Sequence, residues 1–165
     1  MNKITQHNPY GATTEKDVVA FEESIGYRLP VSYRQYLLSS NGGKFENYFF
    51  HAISFGQSEI HPIHVYFRLG AAPEFARLEN MYPFSQFHDL DGFSEEFKKY
   101  LCFADNHYGD DLLMDLERGT IYFYRSDDDG DKDSFGDLEI VKVAPNFRDF
   151  VDNMISKKEA WRLSD

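Results

Sequence analysis

Thr14-Glu15-Lys16-Asp17-Val18-Val19-Ala20-Phe21-Glu22-Glu23-Ser24-Ile25-Gly26 runs through Tyr27-Arg28-Leu29-Pro30 into Val31-Ser32-Tyr33-Arg34-Gln35-Tyr36-Leu37-Leu38-Ser39-Ser40-Asn41-Gly42-Gly43, and on these residues the fold turns. Thr14 and Asp17 stand at capping-box spacing, so each can satisfy a free backbone N–H of the other. Val18, Phe21 and Ile25 share one helical face, while Glu22 and Glu23 are expected to point elsewhere. Gly26 stops the helix because it takes positive φ without strain. Pro30 pushes Leu29 out of the α region and suits the first turn of a second helix. Tyr33, Tyr36 and Leu37 then face inward, and Asn41-Gly42-Gly43 ends the run. The product is a helical hairpin that must pack on something else.

That something reads as β further along. Tyr48-Phe49-Phe50 and Ala52 to Phe55 suggest strands. Periodicity is poor from Gly56 to Phe93, with a short helix suggested over Ala72 to Asn80 and another over Glu95 to Lys99, capped by Ser94. Tyr100 to Ala104, Asp111 to Asp115 and Thr120 to Arg125 look like consecutive strands, the last two joined by a Glu117-Arg118-Gly119 turn, and a further strand lies near Leu138 to Val143. Asn146 caps a closing helix whose stripe is Phe147, Phe150, Val151, Met154 and Ile155. The rings Tyr48, Phe49, Phe50, Phe55, Tyr66, Phe67, Tyr82, Phe84 and Phe87 are expected mostly in the core.

At 165 residues the chain suits a single domain, with a core over 14–156 and terminal extensions at 1–13 and 157–165. Sixteen Phe and eleven Tyr argue against disorder. The single cysteine, Cys102, lies in an apolar run and reads as a buried thiol, which points to a reducing compartment. The first residues lack a signal-peptide pattern and no stretch approaches a membrane span, so the expected location is the cytoplasm. Acidic residues outnumber basic ones 28 to 17, for a formal net charge of −11. Nucleic acid would be repelled by such a surface. A basic protein partner would be attracted, although the same excess also serves plain solubility.

The 14–43 run resembles the amino-terminal signature of the SUKH superfamily through Phe21-Glu22, Gly26, Leu29-Pro30, Tyr33, Leu37 and Asn41-Gly42-Gly43 in order. Phe103-Ala104-Asp105, Gly109-Asp110 and Asp115-Leu116 are similar to its middle strands, and Val143 to Phe150 to its closing helix, with Asn146 where the family usually has Ser. The resemblance implies an α+β domain with a mixed, mostly antiparallel sheet of about six strands, flanked by the hairpin and the closing helix. It also implies an immunity protein neutralising a bacterial polymorphic toxin, or a regulatory adaptor like those of yeast cell-wall assembly. No catalytic residue and no cofactor is carried over by it.

The candidate partner-binding residues are Asp105, Asp110, Asp111, Asp127, Asp128, Asp129 and Asp131. From Asp105 to Asp133 ten acidic residues face only Arg118, Arg125 and Lys132. With antiparallel strands, the 105–111 and 127–133 loops emerge at one end of the sheet and pool their charge for a toxin with a basic surface. Two solvated, mutually repelling loops are the plainer alternative. Calcium is disfavoured, because Asp127, Asp129 and Gly130 match an EF-hand loop whose first position is Arg125 and whose last is Gly136. Glu59, His61 and His64 offer zinc-ligand types without a second pair. His107 has acidic neighbours but no nucleophile beside it, so no enzyme activity is expected. Nothing in the pattern decides between a monomer and a weak dimer.

Overall fold

The computed structural model describes residues 2–54, 56–84, 98–106, 108–125 and 139–164. Phe55, Phe87, His107 and Asp127 to Asp131 therefore lie outside the described residues, as does the helix expected over 95–99 apart from Lys98 and Lys99, which form a turn.

Helix α1 (Glu15–Ile25) begins at the reciprocal box: Asp17 N–H donates to Thr14 Oγ1 (3.2 Å) and Thr14 N–H donates to the Asp17 carboxylate (3.0 Å). Such a cap is worth about 1 kcal/mol. Gly26 ends the helix at φ 75°. Val18, Phe21 and Ile25 are buried as the spacing predicts, but so is Glu22, contrary to its expected outward position. Helix α2 (Val31–Ser40) follows Pro30 and buries Tyr33, Tyr36 and Leu37. Asn41 closes it in the left-handed region, φ 45°, with its side chain turned inward. There Asn41 Oδ1 accepts from Leu69 N–H and Nδ2 donates to Leu69 O, both at 2.9 Å, so the carboxamide pairs with the chain as a strand residue would. A Cβ on Gly43 would sit 1.9 Å from Ser40 Oγ and 2.4 Å from the Gln6 carbonyl.

Nine strands form three sheets among the described residues, and every named pair is antiparallel. β1 (Ile4–Gln6) pairs with β2 (Lys44–Phe45), and β3 (Phe49–Ser54) with β4 (Gln57–Pro62). The main sheet has the order β5 (Val65–Tyr66), β6 (Tyr100–Asp105), β7 (Asp111–Asp115), β8 (Ile121–Arg125), β9 (Glu139–Ala144). The only parallel feature among the described residues is an isolated bridge, Arg68 to Arg77. The helix expected over 72–80 is replaced by two 3-10 turns, Glu74–Ala76 and Leu78–Met81.

Helix α3 (Phe147–Asp152) is capped by Asn146, whose Oδ1 accepts from Asp149 N–H at 2.9 Å. It is shorter than its apolar stripe predicts, because Ile155 leaves the helix to exchange backbone hydrogen bonds with Phe49. A last helix, α4 (Lys157–Ser164), and strand β1 occupy the stretches expected to be plain extensions. Helices and main sheet meet through rings: Tyr33 is 5.1 Å from Phe147 and 5.7 Å from Phe103, and Phe103 packs edge-on against Phe147 and Phe150. Edge-on contacts of this kind add to the apolar area that each ring removes from water.

Candidate functional site

Antiparallel order puts the β6–β7 connection, the end of β8 and the start of β9 at one end of the main sheet, with Asp105 opposite Asp111, Asp111 opposite Tyr124, and Arg125 opposite Glu139. The connection is a clipped turn. Asn106 Oδ1 accepts from Tyr108 N–H (2.7 Å) and Asp110 N–H (3.0 Å), Asn106 Nδ2 donates to Asp110 Oδ2 (2.7 Å), and Asn106 N–H donates to Asp110 O (3.0 Å). Gly109 supplies the positive φ that the turn requires. Asn106 and Asp110 are buried, while Tyr108 between them is 74% exposed. The turn thus holds one large aromatic side chain out in solvent on a fixed backbone.

The carboxylates are divided by burial. Asp110 is bonded within the clip, and Asp111 is buried under the sheet end, accepting from the Cys102 thiol at 3.3 Å. Neither carboxylate adds to an exposed acidic pool, because both are spent on internal hydrogen bonds where solvent does not reach. Asp115, at the opposite end of β7, accepts from Glu117 N–H and Arg118 N–H and so shapes the β7–β8 turn. Asp105 differs. Its side chain is 30% exposed, accepts from Val65 N–H (3.1 Å), and lies 3.7 Å from His64 Nδ1. Burial pushes its carboxyl up to about 6, the facing Asp111 adds to the rise, and the Val65 N–H opposes it. Burial likewise raises the Cys102 thiol well above its usual range.

Glu59 and His61, on β4, turn toward this layer. Arg125 Nη1 reaches both Glu59 oxygens (3.1 and 3.0 Å), and His61 Nε2 lies 3.2 Å from Glu59 Oε2. The His61 ring sits 4.5 Å from that of Phe123, and burial holds its pKa below the ordinary value. His64 faces Asp105 instead, so the two histidines serve separate partners. Among the described residues no three His, Cys, Asp or Glu side chains are grouped to hold a metal. No described helix is long and apolar enough to cross a membrane.

Three features of this site escape sequence reading: the internal use of Asp110 and Asp111, the Glu59–Arg125 pair joining strands 66 residues apart, and the exposure of Tyr108. Only the last left a trace, as an aromatic residue beside glycine in a polar loop.

A capped helical hairpin, locked by an asparagine at its end and packed through aromatic rings on an antiparallel sheet, defines an α+β scaffold. The chain belongs to the SMI1 / KNR4 family (SUKH-1), whose profile matches residues 12–153. Comparison with curated proteins finds no match.

Proposed function

We propose that the chain is an immunity protein, which binds a cognate bacterial toxin of basic surface and neutralises it by stoichiometric occlusion in the cytoplasm. The observation that carries this reading is Tyr108, an exposed ring on a backbone clipped by two buried polar side chains, at the sheet end where the acidic 105–133 segment begins. Tyrosines fixed in this way are the typical anchors of tight interfaces, because little conformational entropy remains to be lost on binding. Asp105 and the carboxylates of Asp127, Asp128, Asp129 and Asp131 would supply the attracting field around it. Family membership supports a protein partner, and the chemistry needs no cofactor.

The test is a search of the neighbouring genes for a secreted protein with a carboxy-terminal toxin domain, co-expression of that domain with this chain, and binding kinetics on the purified pair. Growth rescue and a one-to-one complex are expected. Tyr108→Ala should weaken binding at least tenfold, about 1.4 kcal/mol, without moving the melting temperature. Replacing Asp127, Asp128 and Asp129 together with Asn should slow association at low salt and matter little at high salt. No rescue, combined with stable association with a housekeeping protein of the same cell, would reassign the chain to a regulatory or scaffolding adaptor.

A further inference from the structure

Away from the acidic end, an open and largely apolar groove of about 630 Å³ runs between α2, α3 and the amino-terminal strand. Its floor is Tyr36, Phe45, Phe147, Val151 and Ile4. Those rings cannot slump to fill it: Tyr36 stacks on Phe45 at 5.4 Å, lies 5.1 Å from Phe147, and is tethered by its hydroxyl to the Gly43 carbonyl at 2.9 Å. The outer wall is pinned as well. Asn2 Nδ2 donates to Asn47 O (2.7 Å) and Val151 O (3.3 Å), its Oδ1 accepts from Asn47 N–H (3.0 Å), and its N–H donates to Asp152 Oδ1 (3.1 Å). An open groove of this size, mostly apolar and walled by pinned side chains, is wide enough to seat one face of a flat small molecule.

Its rim has the wrong sign for the rest of the molecule. In a chain of net charge −11, the groove presents Lys3 and Arg148, and neither forms an ion pair among the described residues. The one acid at the rim, Asp152, already accepts from Asn2 N–H. Asn2, Lys3 and Ile4 also lie outside residues 12–153 matched to the family. We propose that the groove between α2, α3 and the amino-terminal strand binds a small organic anion with a flat apolar body, the body on the Tyr36–Phe45–Phe147 floor and the acid group between Lys3 and Arg148. Charged hydrogen bonds to the two cations orient the ligand, and area removed from water holds it. The site is independent of the acidic end and stands whether or not that end binds a toxin.

The test uses the full chain and two fluorescent probes, 1-anilinonaphthalene-8-sulfonate and the uncharged N-phenyl-1-naphthylamine, which keeps the rings and lacks the sulfonate. Saturable one-to-one binding of the anion is expected, at least tenfold tighter than the neutral probe. Amide shift changes should map to Lys3–Ile4, Ser32–Ser39 and Phe147–Asp152. Lys3→Glu with Arg148→Glu, both exposed, should weaken the anion at least tenfold at unchanged melting temperature, and Gln35→Trp should abolish binding by filling the groove. Equal affinity for both probes, shifts elsewhere on the wild-type chain, or no saturable binding would overturn the proposal. So would concentration-dependent dimerisation lost in Gln35→Trp, which would assign the groove to a second copy of the chain.

Discussion

Glu22 is the residue whose removal tests the hairpin most directly. Its side chain is 2% exposed and receives Leu29 N–H (2.9 Å), Arg28 Nη1 (3.0 Å) and Arg34 Nε (3.4 Å). These donors differ in what they lose. Leu29 N–H is buried, and an orphaned buried donor costs about 1–3 kcal/mol. Arg34 keeps its second partner, the Glu15 carboxylate, and its own side chain is 25% exposed, so its loss is nearer 1 kcal/mol. Arg28 is 80% exposed and contributes little. Glu22→Ala, which also leaves a cavity, should therefore cost about 3–4 kcal/mol, or about 10 °C in a chain of this size. Glu22→Gln keeps an acceptor for Leu29 and should cost about 1–2 kcal/mol. Arg28→Ala should stay within about 0.5 kcal/mol. Urea denaturation followed by circular dichroism gives all three values. The reasoning is refuted if Glu22→Ala costs less than about 1 kcal/mol, or if Arg28→Ala matches it.

Two further predictions concern the other end of the hairpin and the sheet. Gly43→Ala forces a Cβ against the Gln6 carbonyl, so it should destabilise by at least about 2 kcal/mol and detach β1 from β2, seen as faster amide exchange at Ile4 and Gln6. Asp105 titrates near 6 when folded against an ordinary 3.8, so between those values the folded chain holds a proton that the unfolded chain has released. Its stabilising contribution is complete below about 4 and lost as pH rises through about 6. Asp105→Asn should accordingly flatten that part of the stability profile and add up to about 2 kcal/mol at pH 7, after discounting for partial exposure. Denaturation midpoints of both proteins at pH 4.5, 5.5 and 7 decide it, with His64→Gln in both backgrounds to remove the neighbouring imidazole. A parallel offset at all three values would show that the carboxyl is not the titrating group.

The helical hairpin was legible because every device in it is local: a cap, an apolar face, a glycine stop and a proline start act within a few residues. The three central strands were legible for a similar reason, since β6, β7 and β8 are apolar runs between turn residues. β4 was not. Its inward positions are Glu59 and His61, which pair with each other and with Arg125, so the apolar alternation that marks a strand is erased by a polar network closed from β8. α4 was hidden because Ala160 alone among its described side chains is buried. The acidic stretch was legible in sequence only as charge density: a carboxylate count does not separate the partly exposed Asp105 from the buried Asp110 and Asp111, whose partners Asn106 and Cys102 appear only once the strands pair. Glu22 shows the same blindness: on a helical wheel it is one more outward acid, and only the returning chain at Leu29 gives it a reason to be inside.

The pairing of Asn41 with Leu69 bears on how the chain ages. Asn-Gly is the dipeptide most prone to lose ammonia, because the glycine nitrogen can swing onto the carboxamide carbon and close a succinimide. In the folded chain the Asn41 carboxamide is held at both ends by Leu69 and is almost sealed from water. Ring closure must wait until the end of α2 lets go of that strand-like partner. Slow accumulation of aspartate and isoaspartate at position 41 would then act as a clock for openings of the hairpin, countable by mass spectrometry in protein stored for weeks.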